Sequence, residues 1–361
     1  MSVRKAWSLR LATAARIRID EINAAGGLLG KQIKVVEADT KTDRAEAAKA
    51  GLDVLDQGAQ MMVVSCDYDY GSPAALAAEA QGMNSFFLCA EDAKAGIQGV
   101  GPNSFSSSVL AAVQGATMAE WSHAKRNART GYTLLDTSIE YDKGICKGFD
   151  WMFPTLDGAS IAGEDTFKND DASIAGQISR IKALPKQPDV IMLCSYMPGA
   201  AAAVRQIRAA GITSLILNGS AADGSYWLDA APDLSGFVVP VQGSIYGDDP
   251  RPEVEAFNKA YEAKTGARPA SQYAYPGYVL VDLWAKAVQR AGTVDGAAVT
   301  AELEKMKDEP TIFGPRSFTP TLHHQDTALM QIVEITGARH DLGSQTLDVP
   351  ALAVDAAIRM R

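Results

Sequence analysis

The strongest constraint on what this chain can fold into is an alternation. Short apolar runs with strand character take turns with stretches of helical period from near the N-terminus to about residue 246. "MMVVSC" (61–66), "NSFFLC" (84–89), "TGYTLLD" (130–136), "PDVIMLCSY" (188–196), "SLILNG" (214–219) and "GFVVPVQGSIY" (236–246) are the runs. Between them lie "SPAALAAEAQG" (72–82), with Ser72 read as N-cap and Pro73 at the first helical position, a long helix from about Ser108 to Lys125, "YDKGICKGFDWMF" (141–153) and "PGAAAAVRQIRAAG" (198–211). Strands that alternate with helices predict parallel sheets covered on both faces, the α/β class. A polar loop from Ala90 to Ser104 and a helical turn, "ADGSYWLDAA" (222–231), complete this part.

The beginning and the end depart from a plain repeat. Leu9, Ala12, Ile17, Ile19 and Ile22 mark an amphipathic helix over 5–25, stopped by Gly26-Gly27. "KQIKVVEAD" (31–39) alternates like a half-buried strand, and "TDRAEAAKAGLDVLDQG" (42–58) is a helix closed by Gly58. After "GDDPRP" come helices at 253–266 and 275–292 and "DGAAVTAELEKM" (295–306), and then "FGPRSFTPT" and "ALMQIVEITG" read as a closing hairpin.

Composition excludes several function classes. A net charge of −9 without a Lys/Arg cluster is unsuited to nucleic acid, whose phosphates need clustered cations. No window reaches the roughly 18 unbroken apolar residues of a membrane span, and Arg10, Arg16 and Arg18 break the basic N-terminal segment as a signal peptide, so it reads as mature structure. Cys66, Cys89, Cys146 and Cys194 are widely spaced without a CxxC pair, which indicates neither a zinc site nor a disulfide scaffold but small buried side chains. His323 and His324 would face opposite ways on a strand, a poor chelate, and read as solvated loop or edge histidines. No cofactor and no metal is expected. GxSxG, HExxH, GxxxxGK[ST] and GxGxxG are all missing. A thiol nucleophile among the strand-end cysteines stays formally open, although no histidine is near in sequence.

Open parallel sheets bind ligands beyond the carboxyl ends of their strands. "DYDYGS" (67–72) follows the first such end and offers a helix start fit for a carboxylate, with simple capping by Ser72 as the alternative. "AEDAKAG" (90–96) sets Glu91 and Asp92 nearby; with Asp67 and Asp69 they form either a solvated acidic rim or a partner for an amine or guanidinium. Tyr141 in "TSIEYDKG" and Tyr196 in "SYMPG" stand past two later ends, as packing or as a lid over a small organic molecule. "NGSAADGSYW" adds Asn218, Ser220 and Asp223 as polar groups able to fix a ligand's orientation.

"IDEINAAGGLLGKQIKVVEADTKTD", "VVSCDYDYGSPAALA", "TLLDTSIEYDKG", "PDVIMLCSYMPGAAAAVRQIRAAG" and "GSYWLDAAPDLSGFVV" occur in an order that resembles the type I periplasmic solute-binding proteins of ABC importers, the branched-chain amino acid group, from about Ala15 to about Thr336. The resemblance implies two Rossmann-like lobes with parallel sheets, joined by three crossovers, that close on a ligand. It implies a first lobe of residues 1–125 and 247–317 and a second of 126–246 and 318–361, with the helices between about Glu253 and Lys305 in the first. It implies ligand contacts from Tyr70, Gly71, Ser72, Ala90, Glu91 and Asp92 on one side and from Tyr141, Tyr196, Ser220 and Asp223 on the other. Ser220 stands where amino-acid binders carry an acid for the ligand's ammonium, so that role would be absent or moved to Asp223, and Glu91 and Asp92 replace small residues and threonine. The family begins with a strand inside the first sheet that this sequence does not show, so Met1 is expected to be an internal start, with a signal peptide further upstream. The function implied is that of a monomeric, non-enzymatic periplasmic receptor that passes a small polar or amphipathic solute to ABC permease subunits. A cytoplasmic ligand-sensing regulator built on the same clamp is the alternative; an α/β hydrolase or dehydrogenase ranks behind both.

Overall fold

A computed structural model of the chain describes residues 3–231, 234–336 and 341–347. Contacts divide it into two compact units: Met1–Val109, Arg251–Pro269 and Tyr273–Gln325 form unit 1, and Leu110–Pro250, Ala270–Gln272 and Asp326–Arg361 form unit 2. Residues 110–125 thus group with unit 2 and 318–325 with unit 1, opposite to the expected division. The fold is α/β with parallel sheets, as the alternation requires.

Unit 1 holds a parallel sheet in the order β1 (Met62–Val64), β2 (Ser85–Phe87), β3 (Ser104–Phe105). Phe86 and Phe87 are wholly buried, as strands covered on both faces demand. Helices α1 (Val3–Ala24), α2 (Arg44–Asp56) and α3 (Tyr68–Glu79) surround it, with α8 (Pro252–Thr265), α9 (Ala274–Ala291) and α10 (Gly296–Leu303) from the later sequence. By contact, the helices after residue 251 group with unit 1. Helix α1 packs on α9, where Arg18 pairs with Asp282 at 2.9 Å and lies over the Tyr278 ring.

"KQIKVVEAD" is not a strand. Ile33 is pinned to Asn23 by reciprocal hydrogen bonds of 2.7 and 2.9 Å, but residues 32–39 join no ladder, and Val35 and Val36 are 44% and 40% exposed. The alternation is real, yet a strand exists only when a neighbour supplies pairing. Among the described residues nothing pairs with the outer edge of β1.

Unit 2 is built on a seven-stranded sheet, order β10-β9-β8-β7-β6-β4-β5. Strands β4 (Thr130–Asp136), β5 (Ser160–Phe167), β6 (Val190–Cys194), β7 (Leu215–Leu217) and β8 (Phe237–Val241) run parallel. The chain goes from β4 to β5 on one side and then to β6 on the other, so the strand order reverses between β4 and β6. Strand β5 alternates exposed and half-buried positions, which fits an edge strand. Strand β9 (Met330–Thr336) lies antiparallel between β8 and β10 (Asp341–Leu347), with Val239 opposite Val333. The closing hairpin is therefore β9–β10; "FGPRSFTPT" forms only isolated bridges, Glu309 with Arg316 and Thr319 with Leu322.

Helix α4 (Ala111–Arg126) packs on α5 (Glu140–Met152) at backbone distance. A Cβ on Gly115 would lie 2.0 Å from the Ile145 carbonyl oxygen, and one on Gly148 would lie 2.0 Å from that of Ala112. Only glycine permits this approach.

The cysteines are not separate buried side chains but two disulfides, Cys66–Cys89 and Cys146–Cys194, and no free thiol is left. In the β1–β2 ladder Val64 faces Phe87, so the residues two steps further on, Cys66 and Cys89, also face each other. Cys146 lies on α5, which packs over β6 and reaches Cys194 at its end. The histidines are not solvated either. His323 stacks on Phe105 at 3.8 Å and bonds to the Ser104 carbonyl and Glu304, while His324 is 1% exposed and held uncharged by burial and by His323, its pKa pushed down to about 3.

A native bridge of this span contributes roughly 2–4 kcal/mol through the unfolded chain. The Cys146→Ala/Cys194→Ala variant should therefore melt several degrees lower than the parent, and reductant should lower the parent's melting temperature towards that of the variant, both read by circular dichroism.

Candidate functional site

In unit 1 the strand ends of β1 and β2 carry the predicted loops. Helix α3 starts at Tyr68, with Asp67 as N-cap, because the amide of Gly71 already reaches the Asp67 carbonyl at 2.8 Å. Ser72 is thus the fifth helical residue and Pro73 is inside the helix; neither starts it. The local Ser-Pro signal was overridden by packing of the preceding turn, where a Cβ on Gly71 would meet the Phe87 ring at 2.7 Å. Ser72 and Gly71 are buried beside that ring, and Tyr70 is half-buried.

The acidic loop is no solvated rim. Ala90, Glu91 and Asp92 are at most 5% exposed. The Ala90 carbonyl accepts from Ser106, Glu91 accepts the Tyr273 hydroxyl at 2.8 Å, and Asp92 caps a short turn through the Lys94 amide. Asp69 forms an ion pair with Arg44 at 2.7 Å. Tyr273 was not anticipated; it stands inside an aromatic stretch that periodicity reads as core. A cavity of 510 Å³ lies elsewhere in unit 1, lined by Glu37, Asp39, Glu46 and Asp53 among others. Lys41 and Lys49 pair with Glu46 there.

In unit 2 the polar groups gather where the strand order reverses, the place where open sheets bind ligands. Asp136, at the end of β4, accepts from Ser195 at the end of β6 (2.8 Å), from the Asn169 amide (2.7 Å) and from the Ser138 N–H (3.0 Å). Tyr196 follows, half-buried, its carbonyl held by Asn169 at 2.9 Å. Tyr141 lies in the first turn of α5 and is buried; its hydroxyl donates to Gln114 Oε1 and accepts the Ala221 amide at 3.0 Å. Gln114 Oε1 also accepts the Ser220 amide at 2.9 Å. The glycine-mediated contact of α4 with α5 thus brings Gln114, the neighbour of Gly115, against Tyr141 and the 218–223 loop.

Asp223, expected as a substitute partner for a ligand ammonium, is spent on the fold. It is 1% exposed and accepts from the Tyr246 hydroxyl (3.0 Å) and from the Gln272 amide (2.6 Å). A bond from the Gly224 N–H adds to these, yet desolvation pushes its pKa up to about 6. Burial next to Asp223 also raises the Tyr246 hydroxyl well above its ordinary value.

The arrangement can hold a polar solute by hydrogen bonds. Both disulfides remove the thiols from nucleophilic chemistry, and no cluster of metal-binding side chains occurs among the described residues.

Residues 3–340 match the family model described as periplasmic binding protein. The Leu/Ile/Val-binding protein BraC3 of Rhizobium johnstonii is 23% identical over 322 residues, 88% of this chain and 84% of that protein. Among solved structures, the branched-chain amino acid transporter substrate-binding protein LivJ of Streptococcus pneumoniae, in complex with isoleucine, superposes with a TM-score of 0.80 at 25% identity, covering 95% of each chain. The leucine-binding protein LivK of Thermotoga maritima gives 0.81 at 20% identity, covering 96% of each.

The raised Asp223 pKa has a defined sign. The folded protein binds this proton near pH 6 and the unfolded chain near 3.8, so Asp223 makes stability rise as pH falls through that window. About two pH units at ~1.4 kcal/mol each give roughly 3 kcal/mol. Urea midpoints of the parent and of Asp223→Asn between pH 7 and 4 should show this gain in the parent and its loss in the variant.

Proposed function

Because this chain belongs to the periplasmic binding protein family, we propose that it is the solute-binding receptor of an ABC importer. It captures a small polar or amphipathic solute, of the class of amino acids, amides and organic acids, and delivers it to membrane permease subunits. The observation that carries this reading is the family match over residues 3–340, nearly the whole chain. The isoleucine bound by the Streptococcus relative supports a ligand of amino-acid size.

Within unit 1 the Tyr70–Ser72 turn and the Ala90–Asp92 loop follow strand ends, and within unit 2 Tyr141, Tyr196 and Ser220 do. The buried polar groups at the strand ends suit recognition by fixed hydrogen bonds, with tyrosine rings as the apolar complement. Two disulfides persist in oxidising compartments. They support a periplasmic station and speak against a regulator that works in the cytoplasm. The match to a family of binding proteins supports binding rather than turnover as the chemistry.

Isothermal titration with branched-chain amino acids, amides, polyamines and aromatic acids should give saturable one-to-one binding to at least one class, with a rise in melting temperature that follows ligand concentration. Failure of every member to bind overturns the reading.

A further inference from the structure

Three side-chain amides in unit 2 are buried and turn their NH2 groups to no acceptor within the protein: Gln114, Asn218 and Gln272, at most 1% exposed. Side-chain amides are often ambiguous about which end is nitrogen, but here backbone donors settle it. Gln114 Oε1 accepts the Ser220 N–H at 2.9 Å, Asn218 Oδ1 accepts the Gly219 N–H at 2.6 Å, and Gln272 Oε1 accepts the Gln242 N–H at 2.6 Å. An N–H can bond only to the oxygen, so the other end of each amide is a donor.

Each is tied to the loop past the end of β7. Gln114 holds the Ser220 amide, Asn218 begins the loop, and the Gln272 backbone holds Asp223 at its far end. Two glycines let these groups close up. A Cβ on Gly219 would stand 2.5 Å from the Tyr141 hydroxyl and 3.1 Å from Gln114 Oε1, and one on Gly224 would strike the Ala270 carbonyl at 2.2 Å. Leaving one buried donor unmet costs about 1–3 kcal/mol, and native folds leave few such donors.

Asp223 and Asp136 do not serve as the missing acceptors. Asp223 already receives Tyr246, Gln272 and Gly224, and Asp136 receives Ser195, Asn169 and Ser138. Both are equally ill placed to receive an ammonium.

We propose that Gln114, Asn218 and Gln272 form a donor triad that takes oxygen acceptors of the solute, so the group presented to unit 2 is a carboxylate or carbonyl and not an ammonium. This rests on the receptor reading above and names the chemistry of its ligand. Where an amino acid would offer its charged amine, this protein selects an oxo or second acid oxygen.

The test is isothermal titration of the full chain with two matched pairs, 4-methyl-2-oxopentanoate against L-leucine and benzoate against benzylamine. The acceptor-bearing member of at least one pair should bind ten-fold tighter or more. Gln114→Glu and Asn218→Asp keep the oxygen that the backbone needs and replace the donor by a second oxygen; each should weaken that binding at least ten-fold. Ligand-free melting curves show whether each variant is folded, and the preference of the unaltered protein is decisive without them. Tighter binding of the amine-bearing member in both pairs, equal binding in both, variants that are folded but unchanged, or binding of other solutes but none of these four overturns the triad. If neither these four nor any solute of the wider panel binds, the receptor reading itself falls.

Discussion

The polar cluster of unit 2 depends on one close contact between two helices. Gly115 on α4 and Gly148 on α5 let the backbones meet where any side chain would collide with a carbonyl oxygen. Gln114 is fixed next to that contact and Tyr141 stands in the first turn of the second helix, so their meeting follows from the approach itself. From there the order spreads outward. Gln114 and Tyr141 hold the Ser220 and Ala221 amides, which sets the loop after β7, and Asp223 at its end gathers Tyr246 and the Gln272 backbone. Larger residues in place of the two glycines would force the helices apart and dissolve the cluster from its root.

Parallel pairing does comparable work in unit 1. Register across β1 and β2 delivers Cys66 and Cys89 to each other, and the disulfide then closes the base of the Tyr70–Ser72 turn against the Ala90–Asp92 loop. In unit 2, Cys146–Cys194 joins α5 to the end of β6, the strand across which the order reverses. Each covalent tie sits directly beneath loops that carry polar groups. A receptor gains from this placement, since rigid loops lose little entropy when a solute is bound.

Much of this was legible from residue order. Strands β1, β2, β4, β6, β7 and β8 follow from apolar runs bounded by turn residues, and α2, α4, α5 and α7 (Gly199–Ala209) from helical period. The strand ends then pointed to Tyr141, Asn218 and Ser220. Less was legible where the partner is remote. "KQIKVVEAD" has a strand's pattern but no ladder to join, Ser72 resembles an N-cap but follows a turn already helical, and His323 finds its buried place through Phe105, more than two hundred residues earlier. Gln272 and Tyr273 carry no local signal at all; their roles come from Asp223, Gln242 and Glu91.

The sequence by itself determined the α/β class, the parallel order of strands and helices, and the positions where polar loops would emerge. Those properties are periodic, and periodicity is written along the chain. Only the tertiary structure decided which cysteines pair, which acids are consumed by the fold, and which amides are left with donors to offer. These depend on distances between residues far apart in sequence, and such distances exist only once the sheets and helices have packed.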